Sequence, residues 1–269
     1  MVGGSGQPLS VETADGALLT AWVSGNGPAL LMVHGSIADH TTFDGFVDVL
    51  RRHLTTFAMD RRGFGASPEA GEPYSVDREF DDVAAVVDAI AAHVGAPVAL
   101  FGHSFGASCA MGAAARTENL SHLILYEPSL GLTYPPGSID AIEALLDSGD
   151  TEGAIVAVFT DILEMSEDEI AAFRGSPLWP LRLATAPTIP RECRVEEDWV
   201  FQPGQFDGIK APTLMLAGSE STASLAKATE RATAAIPHAR VHILEGHGHF
   251  AHKADPEMVS AVIRAFLAE

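Results

Sequence analysis

Short runs of consecutive apolar residues alternate along the chain with longer segments in which apolar residues recur at helical spacing. The short runs predict strands buried on both faces of a sheet, and the longer segments predict helices that cover that sheet. Such an alternation is typical of an α/β fold with a mostly parallel, doubly wound sheet. The predicted strands are Val11–Ala14 and Ala17–Ser24, which form a hairpin, then Ala29–Val33, Thr55–Met59, Pro97–Phe101, His122–Tyr126, Pro212–Ala217 and Arg240–Leu244.

Two helices are predicted to flank this sheet. Within Asp77–His93, the residues Phe80, Val83 and Val87 fall on one helical face, as expected for a helix that packs against strands. The last helix begins after Asp255, an N-cap carboxylate that is followed directly by a proline at the first helical position.

The interval from about Ser129 to Gly208 departs from this alternation. It contains helical patterns but no convincing buried strand; the patterns are Ile139–Leu146, Gly153–Leu163 and Glu167–Arg174. The stretch Ser176–Pro190 carries four prolines and is predicted to be irregular. We therefore predict an α/β core made of residues 1–128 and 209–269, with residues 129–208 as a helical insertion between late core strands.

Composition and charge narrow the class of protein. Of the 269 residues 47% are hydrophobic, which is enough for a sizeable core, and 36 acidic against 16 basic residues give a net charge of −20. This charge argues against nucleic acid and anionic membranes as partners, and no apolar run reaches the roughly 18 residues of a membrane span. The stretch Met1 to Gln7 lacks the features of a secretory signal, and Cys109 and Cys193 are too few for a disulfide framework. We expect a cytoplasmic enzyme or binding protein whose partner is a small molecule.

A candidate nucleophile lies in the motif Gly102-His103-Ser104-Phe105-Gly106, between a predicted strand and a helix of small residues. A nucleophile on so sharp a turn adopts a strained backbone, and glycines on either side relieve the crowding around it. The serine oxygen then stands clear of the main chain, and the helix amino terminus favours negative charge that develops nearby. Ser104 is therefore the predicted nucleophile.

A serine hydroxyl needs a base, and three histidines, His247, His249 and His252, lie in the loop before the last helix. Because parallel strands end at the same edge of a sheet, this loop and the Ser104 turn converge there. We predict His249 as the base, with His247 as its rival. No acidic or cysteine partner stands at a defined spacing from these histidines, so neither a metal nor another cofactor is predicted.

Four motifs together resemble the α/β-hydrolase fold family. They are Val33-His34-Gly35-Ser36, the segment Asp60–Ser67, the segment Gly102–Gly106 and Gly246-His247-Gly248-His249. Their order and spacing match the family's, and they span nearly the whole chain. The resemblance implies that the backbone N–H groups of Ser36 and Phe105 form an oxyanion hole and that His249 is the base. It also implies that residues 129–208 form a helical cap over the pocket.

The acid that would orient this histidine is where the sequence departs from the family's pattern. In most of the family an acid follows the next-to-last predicted strand, three residues after a glycine, and Ser221 stands at that place here. Glu220 is one residue early. Glu127 lies at the end of the preceding core strand, His122–Tyr126. Some haloalkane dehalogenases of the same fold carry their acid at that position. A carboxylate at the apolar exit of a strand is costly to leave unpaired, so we predict Glu127 as the acid, with Glu220 as the alternative.

These residues predict a cofactor-free serine hydrolase that cleaves a carboxylic ester, thioester or lactone through an acyl-enzyme. Cleavage of a carbon–carbon bond in a diketone and acyl transfer use the same groups and stay open, as does a non-catalytic binding module. The net charge favours a neutral, largely apolar substrate. Apolar residues of the insertion predict either a pocket wall or packing of the cap on the core; they are Leu178, Trp179, Leu181, Leu183, Trp199 and Phe201.

Overall fold

A mixed sheet of eight strands forms the centre of the protein, whose computed structural model describes residues 6–69 and 73–269. The strands are β1 (Gln7–Glu12), β2 (Leu18–Gly25), β3 (Ala29–Val33), β4 (Thr55–Asp60), β5 (Val98–His103), β6 (Leu120–Tyr126), β7 (Thr213–Gly218) and β8 (Arg240–Leu244). They lie in the order β1-β2-β4-β3-β5-β6-β7-β8, and β2 alone runs against the others. The strands from β3 to β8 are therefore parallel, and their carboxyl ends share one edge.

Helices cover both faces of the sheet and fill the interval between β6 and β7. In chain order they are α1 (Asp44–Leu50), α2 (Val76–Val94), α3 (Phe105–Ala114), α4 (Ser138–Asp147), α5 (Thr151–Ala157), α6 (Glu167–Arg174), α7 (Trp179–Thr185), α8 (Ile189–Asp198), α9 (Ala223–Ala234), α10 (Ala251–Ala254) and α11 (Pro256–Leu267). Single turns of 3-10 helix lie at His40–Phe43 and Ala186–Thr188, and a π-helical turn lies at Val158–Ile162.

The two faces of the sheet build two separate hydrophobic cores. Leu31 of β3 belongs to the core under α2 and α3, together with Val83 and Met111. Its neighbour Leu30 points to the opposite core, under α1 and α11, together with Ile263. Successive residues of a strand alternate between its faces, so a continuous apolar run such as β3 serves both cores. This confirms the predicted doubly wound α/β fold.

The strand prediction was wrong about the environment of β8. This strand was expected to be buried, but it is the last strand of the sheet and pairs only with β7. Val241 and Ile243 are consequently 51% and 44% exposed. An apolar run of five residues does not distinguish a central strand from an edge strand, because both have the same backbone requirements.

The proline-rich stretch Ser176–Pro190 is helical, contrary to the irregular structure predicted for it. It contains α7, a 3-10 turn and the start of α8, and Pro180, Pro187 and Pro190 each stand in the first turn of one of these helices. Proline is tolerated there because the N–H group that it lacks has no helical acceptor. These three prolines thus mark helix starts rather than the absence of helix.

The helices between β6 and β7 have a hydrophobic core of their own and are tied to the sheet by a buried ion pair. Ile142, Ile155 and Phe159 belong to this third core. Arg61, which follows β4 and is fully buried, donates to Glu79 of α2 at 2.8 Å and to Glu192 of α8 at 2.6 Å. The Asp60–Ser67 motif therefore joins three elements through one guanidinium group.

Within the described residues, no helix combines the length and the apolarity that a membrane span requires. Residues 1–5 of the stretch considered above for a secretory signal lie outside the described residues.

Two helical glycines give opposite expectations for replacement by alanine. A Cβ on Gly112 of α3 would lie 2.2 Å from the ring of Phe80, whereas a Cβ on Gly45 of α1 would meet nothing within 4 Å. We expect Gly112→Ala to lower the free energy of unfolding by about 1–3 kcal/mol through overpacking. Gly45→Ala should leave it unchanged or raise it by up to about 1 kcal/mol, because alanine is the better helix former. Urea denaturation of both variants measures this difference, and equal stabilities would contradict the close packing of α2 on α3.

Candidate active site

Ser104 stands on a strained turn between β5 and α3. Its backbone angles are φ 57° and ψ −127°, in a region that residues with a side chain rarely adopt. A Cβ on Gly102 would lie 2.4 Å from the carbonyl oxygen of Gly106, and one on Gly106 would lie 2.3 Å from that of Val33. Both glycines of the motif are therefore required by close backbone contacts around the serine.

The loop after β3 passes directly beside Ser104. A Cβ on Gly35 would lie 2.9 Å from Cβ and 3.4 Å from Oγ of Ser104. The next residue, Ser36, is half-buried, and Phe105 is the first residue of α3. Neither the N–H of Ser36 nor that of Phe105 donates a hydrogen bond to any described part of the chain. Both predicted oxyanion donors therefore lie on elements that adjoin Ser104, and neither has an acceptor among the described residues.

His249 is buried in the loop after β8, and two side chains hold this loop in place. Nε2 of His103 donates to the carbonyl oxygen of His249 at 2.8 Å. Burial lowers the pKa of His103 well below its ordinary value, and the nearby His252 and His249 lower it further, so this imidazole is neutral. The hydroxyl of Tyr126 accepts from the N–H of Ala251 at 3.1 Å and donates to the carbonyl oxygen of Gly248. His103 and Tyr126 therefore fix the backbone of the loop that carries His249, through contacts that the sequence motifs did not reveal.

The carboxylate of Glu127 is fully buried and faces His249. Its Oε2 lies 2.6 Å from Nδ1 of His249, and its Oε1 accepts from the N–H of Gly218 at 2.7 Å and from the hydroxyl of Ser221. Burial by itself would raise the pKa of Glu127. The hydrogen bonds from His249, Ser221 and Gly218 outweigh that effect, so the pKa lies below its ordinary value and the group is ionised.

The two glutamates weighed from the sequence have different surroundings. Glu220 is exposed, and its carboxylate bonds to no described residue. Ser221, which stands at the family's usual acid position, donates its hydroxyl to Glu127 instead. The residue at the customary place therefore supports a carboxylate that comes from the end of β6.

Residues 30–262 match the family model described as the alpha/beta hydrolase family. The chain belongs to this family. The 2-(acetamidomethylene)succinate hydrolase of Mesorhizobium japonicum is 24% identical over 264 residues, which cover 90% of this chain and 89% of that protein. A solved alpha/beta hydrolase from Sphaerobacter thermophilus has a TM-score of 0.83 at 29% identity, covering 96% of this chain and 99% of its own. An esterase from a Rhodococcus species has a TM-score of 0.77 at 21% identity, covering 97% and 98% of the two chains, and shares the fold.

Ser104 and His249 of this alpha/beta hydrolase line one cavity, together with Ser36. The space free of atoms amounts to about 720 Å³, part of it open to solvent. Its apolar wall comes mainly from the helices between β6 and β7, including Phe159 and Ile162 of the π-helical turn. A π-helical turn at a ligand cavity is a recurring association, and a helical pattern in the sequence does not distinguish it from α-helix.

The six apolar residues of the insertion that were considered for the pocket wall do not line this cavity. Trp179 belongs to the hydrophobic core of the insertion, and Trp199 and Phe201 pack against the core of the sheet. For these three, the alternative of packing within the fold is the correct one. Which face of each helix meets the cavity depends on the tertiary arrangement, so a count of apolar residues does not locate the wall.

The other histidines of the hydrolase have different surroundings from His249. His247 is half-buried, and its imidazole has no bonded partner among the described residues. His252 is fully buried next to Phe43 and Phe46.

Within the described residues, the one group with metal-ligand spacing is Asp39, His40 and Asp60, far along the chain from these histidines. There Asp60 already accepts hydrogen bonds from Trp22, His40 and Ala66.

The bond between Glu127 and His249 has a spectroscopic consequence. A histidine N–H that is buried and bonded to a carboxylate at 2.6 Å exchanges slowly with water and is strongly deshielded. We expect a proton resonance well downfield of the amide region, absent from His249→Gln and Glu127→Ala and retained in Glu220→Ala. Proton NMR of the four proteins measures it. A signal that survives in folded Glu127→Ala would mean that another acceptor holds Nδ1.

Proposed function

We propose that this hydrolase is a cofactor-free serine enzyme that cleaves a carboxylic ester, thioester or lactone. In this proposal Ser104 is the nucleophile, His249 is the general base and Glu127 is the acid that orients the histidine. The observation that carries it is the 2.6 Å contact between Glu127 and His249, combined with a cavity that is lined both by this histidine and by Ser104 on its strained turn. Residues 129–208 are proposed to act as a cap, because their helices supply the apolar wall.

The proposed reaction uses each of these groups in turn. Glu127 accepts the hydrogen bond from Nδ1, which leaves Nε2 of His249 free to take the proton of Ser104 as its oxygen attacks the carbonyl carbon. The carbonyl oxygen becomes negatively charged and is stabilised by the N–H groups of Ser36 and Phe105, each contributing about 3–4 kcal/mol. His249 then protonates the leaving alcohol or thiol. A water molecule, deprotonated by the same histidine, cleaves the acyl-enzyme and releases the acid and Ser104.

The relatives support an acyl substrate. Solved structures with the same fold include esterases from a Rhodococcus species and from Thermogutta terrifontis, and a relative of similar length is a 2-(acetamidomethylene)succinate hydrolase. Assays with an ester, a thioester and a lactone separate the three substrate classes of this proposal.

A fluorophosphonate probe tests the nucleophile directly. We expect one covalent adduct, on the peptide that contains Ser104, and no adduct in Ser104→Ala. The same substitution should lower kcat/KM for 4-nitrophenyl butyrate by about a thousandfold or more, and His249→Ala should be as severe, because the two residues act as a unit. Ser108→Ala is the control, since Ser108 lies on the same helix but bonds to the N–H groups of Ser129 and Leu130. An adduct elsewhere, or greater loss in His247→Ala than in His249→Ala, would refute the assignment.

The acid is tested by paired glutamine substitutions. Glu127→Gln replaces an acceptor with an amide that also donates, so it favours the wrong tautomer of His249, and kcat should fall by about a thousandfold or more. Glu220→Gln should change kcat by less than about twofold, because an exposed carboxylate without a bonded partner has little effect on the site. Steady-state kinetics with thermal melts as a folding control give the ranking. The reverse ranking would move the acid to Glu220.

A further inference from the structure

The cavity that contains Ser104 and His249 also contains two basic side chains. Arg182 of α7 and Lys253 of α10 both line it. One comes from the helical insertion and the other from the short helix that follows the loop after β8. Because the chain has 36 acidic and only 16 basic residues, a basic side chain is expected to have a carboxylate partner. A basic side chain in the cavity without such a partner therefore indicates that a ligand takes the partner's place.

Arg182 is buried without a carboxylate partner. It is 5% exposed, and no carboxylate of the described residues lies within 4 Å of its guanidinium group. Its one hydrogen bond is a long one, 3.4 Å to the carbonyl oxygen of Ile37, and its Nε has no partner. Burial lowers the pKa of Arg182 to about 10, so it stays charged at neutral pH.

The other arginines of the insertion are all paired. Arg174 contacts Glu152, Arg191 contacts Glu69, and Arg194 contacts Asp140, Glu143 and Glu197. Arg182, the most deeply buried of the four, is the exception. Leaving a buried charge without a counter-ion costs several kcal/mol of stability. Such a charge is expected at a binding site, where an anionic ligand supplies the counter-ion.

Lys253 and Arg182 each lie over one ring of an aromatic pair, Phe250 and Phe173. Its Nζ is 5.7 Å from the ring centre of Phe250, and the guanidinium of Arg182 is 4.7 Å from that of Phe173. The two rings are 4.8 Å apart. No described carboxylate lies within 4 Å of this Nζ either. Burial, with a smaller contribution from the charge of Arg182, lowers the pKa of Lys253 to about 7, a shift that a bound anion would reverse.

One carboxyl group lines the cavity among the described residues, and it does not neutralise these cations. Glu196 is buried and bonded to the hydroxyl of Tyr134. Burial raises the pKa of Glu196 to about 8, so the group is mostly protonated at neutral pH. The positive charge of the cavity therefore comes from Arg182 and from Lys253, which is about half protonated at neutral pH until an anion binds, in contrast to the net charge of −20 of the whole chain.

We propose that Arg182 and Lys253 together bind a free carboxylate of the substrate, so that the preferred substrate is an ester that also carries a carboxylate. This specificity rests on the proposed serine hydrolase function, since Ser104 acts on the ester while the cations hold the other end. An arginine fork pairs well with a carboxylate, and the lysine adds a second donor. This proposal revises the neutral, apolar substrate expected from the net charge. The substrate proposed instead has an ester at one end, a carboxylate at the other and an apolar segment between them.

Matched esters that differ only in charge test this specificity. The first pair is mono-4-nitrophenyl adipate and its methyl ester, with the carboxylate on the acyl half. The second pair is 4-acetoxybenzoate and its methyl ester, with the carboxylate on the alcohol half. In at least one pair we expect the wild-type kcat/KM to be about tenfold higher for the anionic ester, the order of magnitude of one charge-assisted contact.

Substitutions then assign that preference to residues. Arg182→Met and Lys253→Met should each lower the ratio of anionic to neutral kcat/KM by about tenfold, mainly through KM, and Arg182→Lys should restore part of it. Arg174→Met is the matched control, because this arginine of the same insertion is exposed and paired with Glu152, and its ratio should equal that of wild type. A purely structural role of Arg182 would lower both rates equally. No anionic preference in either pair, or a ratio unchanged in the folded Met variants, would overturn the proposal.

Binding measured without turnover separates this proposal from the proposed function. Calorimetry with adipate and with 4-hydroxybenzoate should show binding of at least one of them to wild type and to Ser104→Ala, weakened about tenfold in Arg182→Met. If none of the four esters is hydrolysed but this binding is found, the carboxylate site stands and the esterase function fails. If the neutral esters are hydrolysed while neither carboxylate binds, the esterase function stands and the carboxylate site fails.

Discussion

The carboxylate of Glu127 is buried where three strand ends meet, and the loops around the site are organised by the need to satisfy it. It receives hydrogen bonds from the N–H group that ends β7, from Ser221 in the loop after β7 and from His249 in the loop after β8. An ionised carboxylate in such a place is stable only when its oxygens are fully bonded. The parallel sheet makes this possible, because it brings the ends of β6, β7 and β8 to the same edge.

A second buried charge explains how the insertion is held over that edge. Arg61 pairs with Glu79 and Glu192 and so connects the end of β4 to α2 and α8. Arg182 differs in having no carboxylate partner among the described residues, although both guanidinium groups are buried. An arginine that pairs with carboxylates of two helices ties them together, whereas one without a carboxylate partner is left with donors for a ligand. The same residue type thus has two roles, which only its neighbours distinguish.

Motifs with local causes could be predicted from the sequence, and features that depend on tertiary contacts could not. The strained turn at Ser104 and the end of β6 at Glu127 follow from glycine spacing and from the apolar run before each residue. The exposure of β8, the helical state of Ser176–Pro190 and the supporting contacts of His103 and Tyr126 depend on which elements become neighbours. Ser221 was noted as a departure from the family's pattern, but its hydrogen bond to Glu127 required the fold to bring β6 and β7 side by side.

The chain as a whole is acidic and its cavity is basic, and these two charges affect different stages of ligand binding. Long-range attraction between solvent-exposed charges is screened within about 10 Å in salt, so the acidic surface governs encounter more than the final bound state. Inside the cavity the dielectric response is weaker, and two nearby cations there contribute more to the bound state than many distant carboxylates. Net charge therefore constrains the partners that a protein meets at its surface, whereas the unpaired groups of a buried cavity constrain the ligand that it holds. For this hydrolase the two criteria differ in sign, and Arg182 is the residue on which that difference depends.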